Sequence, residues 1–225
     1  MPARTRLSIL RRSRRRPAAR LQSNQAYERI KEMILTTRLA PGQMLTETEL
    51  ATELAIGRMP VREALQRLAQ EDLVTVVPRK GSLVTPIQVD DLQKIFELRL
   101  ELEGLSGRLA ADRITTEELD TIMAVIESAG DAHEGSAKHV EIDRAFHLRI
   151  AKATRNEYLQ RAVERTLNLA LRLLYISGSR MAKVGEIAHE YYAVLDALRR
   201  RDGAGAKAAM QAHIEEFRKK VRSAI

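Results

Sequence analysis

Along residues 57–68, GRMPVREALQRL, apolar side chains recur at Val61, Leu65 and Leu68, the spacing of one helical face, while Arg58, Arg62 and Gln66 fall outside it. Pro60 has no N–H to donate and is tolerated only in a first turn, so the pattern predicts a helix beginning at Gly57 or Arg58. Upstream, Tyr27, Ile30, Met33 and Ile34 mark a helix over 26–37 that a Pro41-Gly42 turn ends. Thr46, with Glu49 three residues on, opens a second, short helix whose Leu50 and Leu54 face inward. Downstream, LVTVVPRKGSLVTPI holds two β-branched runs around Pro78, Arg79, Lys80 and Gly81, the pattern of a two-stranded hairpin. From about Val89 no strand pattern recurs. Six helical segments are predicted near 90–113, 115–129, 136–153, 156–179, 183–200 and 203–222, with breaks at Thr115, Gly130 to Gly135, Asn156, Gly178 and Gly203.

The expected fold class is therefore mainly α. A winged helix-turn-helix of three helices plus a β-hairpin over residues 23–86 precedes an antiparallel all-α bundle of about six helices over 89–222. Two guanidiniums on the exposed first turns of a third helix suit forked recognition of guanine edges or phosphates. A solvated surface with Arg62 or Arg67 paired to Glu63 or Glu71 is the plain alternative.

Charge sharpens this picture at one place. The chain of 225 residues has a net charge of +8, and residues 1–22 contain eight arginines (Arg4, Arg6, Arg11, Arg12, Arg14, Arg15, Arg16 and Arg20) and no acid. Taking those eight from the 38 basic side chains leaves 30 against 30 acidic ones, so this segment holds the whole excess. It reads as a disordered basic arm with affinity for polyanions, although an organelle transit peptide has the same composition. With no cysteine, thiolate metal sites, disulfides and cysteine catalysis are excluded. No apolar run approaches the roughly 20 residues of a membrane span, so the expectation is a soluble, cytoplasmic protein with no membrane partner.

In the second half, polar residues fall on apolar stripes, where burial is costly unless they find partners. Arg99 shares a stripe with Leu92, Phe96 and Leu102; Asp143 and His147 lie four apart beside Val140, Phe146 and Ile150. Tyr191 lies with Ile187, Val194 and Leu198, and His213 with Ala206, Met210 and Phe217. A polar cluster inside the bundle follows. A carboxylate with two imidazoles has the ligand types of a divalent metal site, and a nearby arginine could fork a substrate carboxylate; hydrogen bonding within an ordinary core is the competing account.

The first half resembles the GntR superfamily of bacterial transcription regulators through Pro41, Gly42, Leu45, Glu47, Leu50, Ala51, Arg58, Pro60, Val61, Arg62, Glu63, Ala64, Leu65 and Gly81. It departs at Gly57, usually Ser or Thr, and at Asp72, commonly a glycine. The resemblance implies that Arg58 and Arg62 enter the major groove, that Thr48 touches the phosphate backbone, and that Arg79, Lys80 and Gly81 form a wing tip near the minor groove. The segments FELRLELEGLSGRLAA, DRAFHLRIAKATRNEYL and HEYYAVLDALRRRDGAGAKAAMQAHI resemble the FCD ligand-binding domain of the FadR subfamily, in its six-helix VanR-like branch. That implies a metal held at Asp143, His147 and His213, with Tyr191 standing where a further histidine is usual. Zinc or nickel affinity is then lowered or lost, and Tyr191 and Arg99 bind an effector directly. His189 lies about 160° round the helix from Tyr191 and cannot substitute.

The reading that follows is a bacterial regulator associated with the nucleoid, most simply a repressor. It would bind an inverted-repeat operator in double-stranded DNA as a homodimer and respond to a small carboxylate metabolite. A ligand-independent DNA-binding regulator with a structural pocket, and a metal-dependent hydrolase or lyase built on the same cluster, are the alternatives; the sequence shows no catalytic base or nucleophile for the latter.

Overall fold

A computed structural model of the chain describes the backbone of residues 4–86, 89–128, 137–177 and 187–224, and side chains at 20–86, 91–128, 138–173 and 190–223. Two units, Met1–Ile87 and Gln88–Ile225, separate at the point where the hydrophobic pattern changes.

In the first unit α1 (Arg4–Leu35) packs on α3 (Arg58–Gln70), with α2 (Glu47–Leu54) between them in the chain. Ile30, Ile34, Val61, Ala64, Leu65 and Leu68 form the buried seam. The α1 helix continues without a break from Leu35 back to Arg4, through the arginine-rich segment. Arginine, leucine and alanine are strong helix formers, and a helix nucleated by its packed turns propagates at little cost.

The Pro41-Gly42 turn closes with Gln43 N–H donating to Ala40 O at 3.0 Å and Gly42 at φ +79°. It delivers the chain into β1 (Met44–Leu45), which joins β2 (Val74–Val77) and β3 (Gly81–Val84) in an antiparallel sheet of order β1-β3-β2. The hairpin pattern contained β2 and β3; β1, two residues long, is too short for a period of two to register. Gly81, at φ +121°, lies so close to β1 that a Cβ there would come within 2.3 Å of Leu45 O, which gives this glycine a reason in the fold itself. Asp72 also takes a left-handed conformation, φ +60°, at the end of α3. Leu73 N–H donates to Leu68 O and Asp72 N–H to Ala69 O, the hydrogen bonds of a Schellman turn that normally selects glycine and that aspartate tolerates.

The second unit contains α4 (Val89–Arg113), α5 (Thr116–Glu127), α6 (Ala137–Ala153), α7 (Glu157–Ser177), α8 (Ile187–Arg199) and α9 (Gly203–Ala224), the expected six within a residue or a few at each end. α4 is central: it lies chiefly along α9 and also meets α6, α7 and α8. Gly107 permits the α4–α9 approach, since a Cβ there would meet Ala206 O at 2.7 Å. Arg201 donates from Nη1 to Ala111 O and Ile114 O, satisfying carbonyls at the end of α4 that the helix leaves without partners. Thr115 and Glu118 form a complete capping box at the start of α5, and Glu118 also forks Arg155 at 2.7 and 2.8 Å. Thr115→Ala removes the cap and is expected to cost about 1 kcal/mol, read as a lower urea midpoint with unchanged slope.

Candidate nucleic-acid interface and candidate metal centre

The recognition surface is built by α2 and α3. Thr46 caps α2 by accepting from Glu49 N–H and donating to Glu49 Oε2, half of the reciprocal box the sequence suggests. Gly57 caps α3 without a side chain, and α3 starts at Arg58, so Pro60 sits in the first turn. Val61, Ala64, Leu65 and Leu68 are buried; Arg58, Met59, Arg62 and Gln66 are exposed. Thr48 on α2 and Arg79 and Lys80 at the β2–β3 turn are also exposed, with Arg79 at φ +66°.

Arg62 does have a carboxylate partner, but neither Glu63 nor Glu71. It donates from Nε to Glu47 Oε1 at 2.7 Å and from Nη2 to Glu47 Oε2 at 2.9 Å. Spacing within α3 could not reveal this partner, because Glu47 opens a different helix. Arg67 lies over the Tyr27 ring, 3.8 Å from its centroid. Beneath it Tyr27 Oη donates to Glu71 Oε1, and Lys31 Nζ reaches Tyr27 Oη at 2.8 Å and Glu71 Oε2 at 3.2 Å. Burial and the Glu71 carboxylate push the Tyr27 phenol up to about 12, so it stays a neutral donor. This buried group fixes the end of α3 to α1.

The second unit brings the stripe residues together. His147 Nε2 and His213 Nε2 are 3.2 Å apart, and Asp143 Oδ1 lies 3.4 Å from each. Tyr191 Oη donates to Asp143 Oδ1 at 2.9 Å, and Phe146 packs against the Tyr191 ring at 4.7 Å. Arg99 is 1% exposed and donates from Nε to Glu103 Oε1 at 2.6 Å, while its Nη1 has no hydrogen-bond partner among the described residues.

Three contributors were not picked out as members of this cluster. Glu103, which accepts from Arg99, also meets His147 Nδ1 as an ion pair. Glu190 accepts from His213 Nδ1 at 2.8 Å and faces Lys220 at 3.6 Å. His139 lies with its Nε2 3.4 Å from Tyr191 Oη; its place four residues before Asp143, itself four before His147, was the available signal. The His189 side chain lies outside the described residues.

Burial opposes every charge here, and pairing overcomes it. Arg99 and His147 hold the Glu103 carboxyl down to about 2, and the two imidazoles hold Asp143 well below the usual carboxylate range. Glu103 and Asp143 together raise His147 to about 9. His139, whose largest influence is burial itself, is lowered.

The donor set suits a divalent ion. Atoms bonded to one ion at about 2.0–2.1 Å lie roughly 2.8–3.4 Å from one another, the short end octahedral and the long end tetrahedral. The 3.2, 3.4 and 3.4 Å sides of the Asp143–His147–His213 triangle fall in that range. Each imidazole turns Nδ1 to a carboxylate and Nε2 to the shared centre, the orientation that a carboxylate behind a ligating histidine enforces.

The sequence matches the FCD domain family over residues 94–216 and the bacterial regulatory proteins of the gntR family over residues 22–84. It is 27% identical over 194 residues to YdhC, an HTH-type transcriptional regulator of Bacillus subtilis (strain 168), spanning 84% of this chain and 86% of that one. It is 29% identical over 196 residues to the Nta operon transcriptional regulator of Aminobacter aminovorans, spanning 86% and 93%. The structure of E. coli McbR/YncC is similar with a TM-score of 0.79 at 23% identity, over 90% of this chain and 97% of that one, a likeness of fold.

Because His147 is raised to about 9, ion uptake below that pH must expel its proton. Apparent zinc affinity is therefore expected to increase about tenfold per pH unit from about pH 7 to 9 and then level off. Titration calorimetry in buffers of different ionisation heat counts the released proton, and a flat profile would remove His147 from the ligand set.

Proposed function

The chain belongs to the FCD-domain regulators of the gntR family, DNA-binding transcription regulators rather than enzymes, and on that premise we propose that its helical unit senses a small carboxylate effector together with a divalent metal. The observation that carries the proposal is the buried triangle of Asp143 Oδ1, His147 Nε2 and His213 Nε2. Asp143, His147 and His213 would hold zinc or nickel; a bound ion supplies positive charge and open coordination positions. Arg99, with a buried Nη1 that no hydrogen bond from a described residue occupies, is assigned to one end of the acid, and the Tyr191 phenol to the other. Tyr191 adds a neutral hydroxyl where a third imidazole would close the coordination sphere, which leaves room for the effector and weakens the metal.

The DNA reading assigns base contacts to Arg58 and Arg62, a phosphate contact to Thr48, and the wing-tip approach to Arg79, Lys80 and Gly81. One short recognition helix reads too few base pairs alone, so the chain acts as a homodimer on an inverted repeat, in the cytoplasm, as a repressor that effector binding releases. Residues 1–22 add phosphate contacts without sequence preference.

Arg62→Ala is expected to weaken operator binding by about 1–3 kcal/mol and to relax preference at one base pair per half-site, with Arg58→Ala acting similarly. Gel shifts at fixed salt that leave both variants unchanged would defeat the assignment.

Zinc, nickel and a panel of small carboxylates added to wild type, Tyr191→His and Arg99→Lys test the sensor, with unfolding temperature and metal content as readouts. Tyr191→His is expected to bind metal at least about tenfold more tightly. An acid that stabilises wild type should lose its effect in Arg99→Lys. Wild type that responds to neither metal nor any acid would leave the cluster as core packing.

A further inference from the structure

Arginine carries five N–H donors, and the Glu47 fork engages one edge of the Arg62 guanidinium. Nε and one N–H of Nη2 are taken up by the carboxylate. The Nη1 hydrogens and the outer N–H of Nη2 meet no described residue, and one N–H of Nη1 with that outer N–H of Nη2 forms the end-on pair that can fork guanine O6 and N7. The carboxylate therefore grips the side of the guanidinium and leaves its tip open. Glu47 is itself well placed for this. It is the first residue of α2, capped by Thr46, and its charge is favoured at a helix N-terminus. The Arg62 hydrogen bond, with lesser help from the Arg62 and Arg58 charges, holds the Glu47 carboxyl below its ordinary range.

We propose that Glu47 is a specificity-determining positioning residue that aims the tip of Arg62 at a base edge and denies that guanidinium to passing phosphates. An unsupported arginine on an exposed helix samples many rotamers, and its full positive charge is satisfied by the nearest phosphate, whatever the sequence. A carboxylate in its side-on fork removes both freedoms: the plane of the guanidinium is fixed by two hydrogen bonds, and the net charge of the pair is zero. Glu47 thus exchanges non-specific affinity for discrimination. The inference rests on the assignment of Arg62 as a base-reading residue, and it differs from competition between Glu47 and DNA, in which the fork would have to open before the arginine could read anything.

The experiment uses the full chain and a library of linear DNA duplexes with a randomised core, selected in parallel by wild type, Arg62→Ala, Glu47→Gln, Glu47→Ala and the Glu47→Ala/Arg62→Ala double variant. Affinity of each for the unselected library is measured at fixed salt. Glu47→Gln and Glu47→Ala are expected to lower base preference about tenfold at the position that Arg62→Ala erases, with library affinity unchanged or raised severalfold. In the Arg62→Ala background the second substitution should change preference no further. Glu47→Gln preserves side-chain volume, and thermal unfolding of both Glu47 variants separates a lost fold from a lost preference. Tighter binding with base preferences retained would show Glu47 to be a competitor and overturn the inference, as would preferences that ignore Glu47 while responding to Arg62→Ala. If Arg62→Ala itself leaves every preference unaltered, the recognition-helix assignment falls, and this inference with it.

Discussion

Two imidazole nitrogens 3.2 Å apart in a buried site cannot both present lone pairs without something positive between them. The helical unit is organised around meeting that demand. Charge alternates outward from the pair: His147, Glu103 and Arg99 on one side, His213, Glu190 and Lys220 on the other, with Asp143 touching both rings. α4, α6, α8 and α9 each contribute at least one member. A buried charge left without its partner costs several kcal/mol, so a shift of one helix along its neighbour would break the row at that element. A proton on His147 supplies the positive charge in the ion-free protein, and a divalent cation would supply it more strongly. The centre of the bundle is thus sensitive to what occupies it, and every helix that carries a ligand or its support is in position to respond.

Much of this was legible in the sequence because a polar residue on an apolar stripe is conspicuous. Arg99, Asp143, His147, Tyr191 and His213 were found that way, and the structure gathers four of them directly around one centre. Glu190 and Lys220 were not, since charged residues on the edge of a stripe look like ordinary solvated positions until a histidine from another helix is known to face them. Glu47 shows the same limit in the first unit: its partner is fifteen residues away on a separate helix, and periodicity carries no information across a turn. β1 escaped because two residues have no alternation.

The DNA-binding unit obeys a different logic, governed by backbone more than by charge. Pro60 dates the start of α3 to one residue; Asp72 ends it in a left-handed turn; Gly81 lets two strands pass where a methyl group would collide with Leu45 O. These constraints fix α3 and the β2–β3 turn relative to one another through the backbone.

The continuity of α1 from Arg4 to Leu35 has a geometric consequence of its own. At a rise of about 1.5 Å per residue, the backbone positions of Arg4 and Arg20 are separated by roughly 24 Å along one axis. The arginine-rich stretch of the chain therefore lies on the same rod whose later turns pack on α3, and its direction is set by that packing.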